Sequence, residues 1–112
     1  MAQVRESTIV KNILRYLNDT PDCRAERRHG GTYGTRGRPD VTACYKGRRL
    51  ELEVKANNKK PTILQEKELQ AWRDAGAIAA VVWSVAEVQE IIQWLDAQET
   101  LQRLKEDEQR CY

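Results

Sequence analysis

The segment Ala77–Trp83 is an unbroken run of seven apolar residues. A continuous apolar run of this length is typical of a β-strand that is covered on both faces of its sheet. Gly76 precedes the run, and Ser84 and Glu87 follow it at the spacing of a helix-capping box. A strand covered on both faces, followed directly by a helix, fits an α/β domain.

Periodicity and turn signals predict the other elements of that domain. They are a helix over Arg5–Leu17, a strand over Asp40–Tyr45, a turn at Lys46-Gly47, a strand over Arg48–Ala56, a helix from Thr62 to about Ala75, and a helix from Ser84 with Val88, Ile91, Ile92 and Leu95 facing inward. The resulting order, α-β-β-α-β-α, predicts a mixed central sheet flanked by helices.

The length of 112 residues fits one domain. We expect this domain to cover residues 1–95, followed by a polar, helical tail over 96–112 in which Ala97, Leu101 and Leu104 share one side. The N-terminal segment lacks the apolar core of a signal peptide, and no apolar run is long enough to cross a bilayer. We therefore expect a cytoplasmic protein with no membrane partner.

Cysteine and histidine usage excludes two classes of small domain. The three cysteines, Cys23, Cys44 and Cys111, are widely spaced, and His29 is the single histidine. Neither a disulfide framework nor a Cys/His zinc site is indicated by this spacing. Any metal site would have to be built from oxygen ligands.

Carboxylates at the predicted hairpin supply such ligands. Asp40 opens the first strand after Gly37-Arg38-Pro39, and Glu53-Val54-Lys55 lies in the second strand, where strict alternation puts Glu51, Glu53 and Lys55 on one face. Mg²⁺ prefers oxygen ligands and keeps several waters, so two carboxylates and a backbone carbonyl suit it. A lysine beside the cation can orient a nucleophile or stabilise charge on phosphate oxygens.

Each of these residues also has an ordinary structural explanation. A solvent-facing strand with alternating charge would place Glu51, Glu53 and Lys55 in surface ion pairs. Glu6 lies on the apolar stripe with Val10, Ile13 and Leu17, but an acid in the first turn of a helix is common. Gln65 follows Thr62 at capping-box spacing and could point back to its own helix start.

Taken in order, these features resemble a stand-alone VRR-NUC domain of the viral or bacterial type, a branch of the PD-(D/E)XK nuclease superfamily. The resemblance runs from about Glu6 to Ile92 and implies a restriction-endonuclease-like fold. It also implies that the protein acts in a bacterial or phage-infected host cell. It implies that Asp40 and Glu53 bind Mg²⁺ or Mn²⁺, that Lys55 assists the attacking water, and that Glu6 and Gln65 complete the site. It also implies a preference for branched DNA, like that of a Holliday-junction resolvase, and a homodimer.

The basic residues around the predicted site suggest a polyanionic partner. From Cys23 to Pro39 there are five arginines against one acid, whereas Glu87–Glu108 carries seven acids against two bases. We expect phosphate contacts from Arg24, Arg27, Arg28, Arg36, Arg38, Lys59 and Lys60. Tyr33 in the Gly-rich loop could stack on a base or pack on its own domain.

The leading hypothesis is a divalent-metal-dependent DNA endonuclease that acts on branched DNA in replication, repair or recombination. Asp40, Glu53, Lys55 and Gln65 would be its catalytic residues, and Asp40, Glu53, the Val54 carbonyl and Glu6 its metal ligands. Two other hypotheses stay open. One is a branched-DNA-binding module of the same fold that does not cleave, and the other is a partner-binding domain that uses the acidic tail.

Overall fold

The computed structural model describes residues 4–28 and 36–110. Its elements are α1 (Glu6–Asp19), β1 (Cys23–Arg27), β2 (Val41–Tyr45), β3 (Arg48–Val54), α2 (Ile63–Asp74), β4 (Ile78–Val82) and α3 (Val85–Arg110). The four strands form one sheet in the order β1-β2-β3-β4. The β1/β2 and β2/β3 pairs are antiparallel, and the β3/β4 pair is parallel. The predicted mixed, helix-flanked sheet is confirmed, with the predicted elements in their predicted order.

Strand β1 is an additional element that the sequence did not predict. Its five residues contain only one buried side chain, Ala25, so the apolar alternation that marks a strand is missing. Asn18 in α1 stabilises this edge strand by bonding both backbone groups of Ala25. The Asn18 amide donates to the Ala25 carbonyl at 3.1 Å, and the Ala25 N–H donates to Asn18 Oδ1 at 2.9 Å. These bonds occupy backbone groups that an edge strand would otherwise leave exposed.

The main core lies between the sheet and the helix pair α1 and α3. It contains the buried stripe of α1 (Ile9, Val10, Ile13, Leu17), the apolar face of β3 (Leu50, Leu52, Val54) and the inward face of α3 (Val88, Ile92, Leu95). Helix α2 lies on the opposite face of the sheet. It buries one residue, Leu69, and packs against β3 and β4. The charged face of β3 is therefore covered by α2, and it does not face solvent.

Strand β4 differs in one respect from the prediction of a strand that is covered on both faces. Ala79 and Val82 are buried, but Ile78, Ala80 and Val81 are half-buried. The reason is that β4 forms one edge of the sheet.

Helix α3 passes the predicted domain boundary without a break in its backbone. Leu95 is its last buried residue, and every position from 97 to 110 is exposed. The helix is tied to the β2–β3 turn by a hydrogen bond from the Tyr45 hydroxyl to Asp96 at 2.6 Å and by an ion pair between Lys46 and Glu99 at 3.2 Å. In residues 4–28 and 36–110 no helix is both long and apolar enough to span a membrane.

Candidate active site

The register of the hairpin places Asp40 opposite Glu53. Val41 pairs with Leu52 in the β2/β3 ladder, so the preceding and following residues face each other on the α2 side of the sheet. Asp40 Oδ2 accepts a hydrogen bond from the Val54 N–H at 2.9 Å. This bond fixes the Asp40 carboxylate against the end of β3.

Glu53 is almost completely buried, with 3% of its surface exposed. The Gln65 amide donates to Glu53 Oε1 at 2.9 Å, and the Lys55 ammonium lies 3.8 Å from the same oxygen. Glu53 Oε2 is buried and has no hydrogen-bond partner among the described residues. A buried carboxylate oxygen without a partner is costly, so the site as it stands lacks one positive or hydrogen-bonding group.

The pKa of Glu53 reports the same deficit. Burial and, after it, the charge of the neighbouring Asp40 raise the pKa of this carboxyl to about 8, against a smaller lowering by Lys55. The charge of Glu6 also raises it. In the absence of a cation, the Glu53 carboxyl therefore holds a proton at neutral pH. A divalent cation would replace that proton, so these residues fit a cation site.

Gln65 makes the predicted helix cap and also contacts Glu53. Its side-chain oxygen accepts from the Thr62 N–H at 2.9 Å, and the Thr62 hydroxyl accepts from the Gln65 N–H at 3.2 Å, which completes a capping box at the start of α2. The amide nitrogen remains available for Glu53. The helix cap thus fixes the side chain that holds the buried carboxylate.

Glu6, predicted as a metal ligand, lies in the first turn of α1. It is half-buried at the start of α1, and its charge contributes to the raised pKa of Glu53. Within the described ranges, no three His, Cys, Asp or Glu side chains form a group that could hold a metal ion. The two-carboxylate arrangement of Asp40 and Glu53 leaves most ligand positions to water, as Mg²⁺ prefers. The Val54 carbonyl stays a predicted third ligand.

The prediction that Arg28 contacts phosphate is corrected by the position of its side chain inside the domain. Its guanidinium pairs with Glu51 and donates to the Pro39 carbonyl at 3.3 Å, and only 12% of its side chain is exposed. Its backbone N–H also donates to the Asp40 carbonyl at 2.7 Å. Because these bonds occupy the side chain inside the domain, Arg28 holds the Pro39-Asp40 segment in place and does not face a substrate.

Glu51 and Trp72 are the residues that sequence reasoning missed. Glu51 is completely buried, because α2 packs over this face of β3. The sequence had left open that this face is exposed to solvent. The Trp72 ring lies 5.2 Å from the guanidinium of Arg28 and 4.4 Å from that of Arg49. The available signal was the shared face of Glu51 and Glu53, since a second buried carboxylate requires a cationic partner.

The other predicted phosphate-contacting residues are exposed. This group comprises Arg24, Arg27, Arg36, Arg38, Lys59 and Lys60. Arg24 makes an exposed ion pair with Glu26 at 3.4 Å, whereas Lys59 and Lys60 lie in the loop that connects the site to α2. Tyr33 lies outside the described residues.

The fold is similar to that of two solved structures. A structure described as "VRR_NUC domain protein" has a TM-score of 0.64 at 16% identity and covers 82% of this chain and 88% of that chain. A second, described as "VRR_NUC domain", has a TM-score of 0.59 at 26% identity, with 80% and 91% covered. No family model and no curated protein matches the chain. The order of elements and both likenesses show that the chain has the fold of these VRR-NUC domain structures.

Proposed function

We propose that this chain is a VRR-NUC domain and a divalent-metal-dependent endonuclease that hydrolyses phosphodiester bonds in branched DNA. The observation that carries the proposal is the buried Asp40–Glu53 pair, in which Glu53 Oε2 has no partner among the described residues. A carboxylate that is buried next to another carboxylate destabilises the protein unless a proton or a cation compensates it. Such a cost is typical of functional sites.

Asp40 and Glu53 would hold the cation together with the Val54 carbonyl, and either Mg²⁺ or Mn²⁺ suits this oxygen donor set. A bound divalent cation would polarise a phosphodiester and lower the pKa of water. Gln65 keeps Glu53 Oε1 in place and leaves Oε2 available. Glu6 would hydrogen-bond water at the edge of the site.

Lys55 supplies the positive charge on the protein side. Its ammonium lies 3.8 Å from Glu53 Oε1, and its side chain is 12% exposed. A partly buried ammonium in this position can stabilise the charge that develops on phosphate oxygens as water attacks phosphorus. It also orients the attacking water by donating a hydrogen bond.

The substrate preference is proposed from the exposed cations. The arginines and lysines near the site contact backbone phosphates, which position a nucleic acid without reading its sequence. Recognition by shape therefore favours branched DNA such as a four-way junction over a defined base sequence. A homodimer would present two such sites, and the exposed tail residues Leu101 and Leu104 offer an apolar surface for assembly.

A cleavage panel tests the proposed function. A four-way junction, a flap, a duplex and a single strand are incubated with the protein in Mg²⁺, Mn²⁺ or EDTA. We expect cleavage of branched DNA in either metal and none in EDTA. The cleavage rate of Lys55→Met should be lower by roughly a hundredfold or more. Lys67→Met, which changes an exposed lysine on α2, is the matched control. Tight junction binding without cleavage in either metal would instead support the non-cleaving module.

A further inference from the structure

Within residues 4–28 and 36–110, one face of the sheet is only half covered. Helix α2 packs on β3 and β4, and among the described elements it makes no close approach to β1 or β2. The uncovered area, here called the open sheet face, is a groove lined by Arg24, Glu26, Thr42, Ala43, Cys44, Gly47 and Arg49. Alternation along the strands puts this groove on the same side of the sheet as Asp40 and Glu53.

Arg49 stands between this groove and α2. Its side chain is 51% exposed, its guanidinium stacks on the Trp72 ring at 4.4 Å, and one nitrogen donates to the Thr42 hydroxyl at 3.3 Å. Glu51 Oε2 lies 3.9 Å from Arg49 Nε, but the other oxygen of Glu51 pairs with Arg28. The stack and the hydrogen bond hold the Arg49 guanidinium in one orientation while half of the side chain stays accessible.

The distance along β3 between Arg49 and Glu53 can be compared with the spacing of nucleotides along a strand of nucleic acid. Arg49 and Glu53 are four residues apart on one face of β3, which is about 13 Å along a strand. That distance is roughly four nucleotides of helical rise. Across the groove, Arg24 adds a second exposed guanidinium, which is offset in part by Glu26.

We propose that the open sheet face binds the phosphodiester backbone of the nucleic acid that enters the site, with Arg49 contacting a phosphate. A planar guanidinium that is held by stacking binds a phosphate with two parallel hydrogen bonds. The proposal deepens the proposed function and rests on it, because it takes a nucleic acid to be the substrate. It assigns to Arg49 the phosphate contact that the sequence had assigned to Arg28.

Binding of a labelled four-way junction by the full chain in EDTA tests this assignment without cleavage. Arg49→Gln should weaken binding about fivefold to tenfold at 0.1 M salt and reduce the slope of log affinity against log salt by about one. Arg48→Gln is the matched control, because Arg48 is exposed on the adjacent position of β3 and faces the α3 side. It should leave affinity and slope unchanged. Urea denaturation checks that both variants fold.

Three results would overturn the assignment. They are equal effects of the Arg48 and Arg49 substitutions, an unchanged salt slope in Arg49→Gln, and displacement of the junction by polyglutamate as efficiently as by DNA. The proposed function fails separately, if the wild-type protein binds the junction but does not cut it in Mg²⁺ or Mn²⁺. Cutting together with Arg49-independent binding would leave the proposed function in place and remove this inference alone.

Discussion

Substitution of Arg28 by methionine removes the partner of a completely buried carboxylate. Glu51 has no exposed surface, and its second oxygen has no hydrogen-bond partner among the described residues. Breaking a buried ion pair from one side costs about 3–5 kcal/mol. Because Arg49 remains 3.9 Å from Glu51, we expect a loss near the lower end, about 3 kcal/mol of unfolding free energy. A small domain has about 5–15 kcal/mol in total, so the variant would be marginally stable.

Urea denaturation followed by far-ultraviolet circular dichroism measures this loss without relying on Trp72 fluorescence. The double variant Arg28→Met with Glu51→Leu should return to within about 1 kcal/mol of the wild type, since replacing both partners of a buried pair is often neutral. Arg24→Met is the matched control. Its ion pair with Glu26 is exposed on both sides, so we expect a change below about 1 kcal/mol. A loss below about 1 kcal/mol in Arg28→Met, or no recovery in the double variant, would refute the reasoning.

Three further predictions concern the site and its supports. The pKa of Glu53 is raised to about 8 from an ordinary 4.5, so between these pH values the folded state keeps a proton that the unfolded state releases. The free energy of unfolding of the metal-free protein should therefore fall as pH rises from about 4.5 to 8. Urea titrations at pH 5 and pH 8 should show this fall in the wild type and not in Glu53→Gln. Gln65→Ala and Thr62→Ala should each destabilise by about 1 kcal/mol through loss of the capping box, but only Gln65→Ala should also slow cleavage, and equal cleavage rates would contradict its bond to Glu53. Gly37 has a φ of +80°, and an added Cβ would lie 2.9 Å from Leu64 of α2, so Gly37→Ala should cost about 2 kcal/mol or more of unfolding free energy. Gly47 has a similar φ of +81° in open space, so Gly47→Ala should cost only about 1 kcal/mol.

Much of the site could be predicted because it depends on local periodicity. The alternation of Leu50–Lys55 puts Glu53 and Lys55 on one face, and a short turn at Lys46-Gly47 fixes which residue lies opposite Glu53. That partner is Asp40. Strand periodicity and a two-residue turn are properties of neighbouring residues, so they can be read from the sequence.

The Arg28–Glu51 pair could not be predicted for the opposite reason. The burial of Glu51 follows from where α2 packs on the sheet, and its partner directly follows β1, a strand without an apolar pattern. Several arginines were equally plausible from sequence, and only the long-range register selects Arg28. For Gln65 the sequence indicated a helix cap and a site contact as competing roles, and it did not show that the amide oxygen and nitrogen serve the two partners at once.

Calorimetric titration of Mn²⁺ into the metal-free protein at pH 8 tests the central claim most directly. The proposal predicts saturable binding that Asp40→Asn weakens by roughly tenfold or more. Asp74→Asn, at an exposed aspartate near the end of α2, should bind as the wild type does. Equal Mn²⁺ affinity in the wild type and Asp40→Asn would contradict a cation site at Asp40 and Glu53.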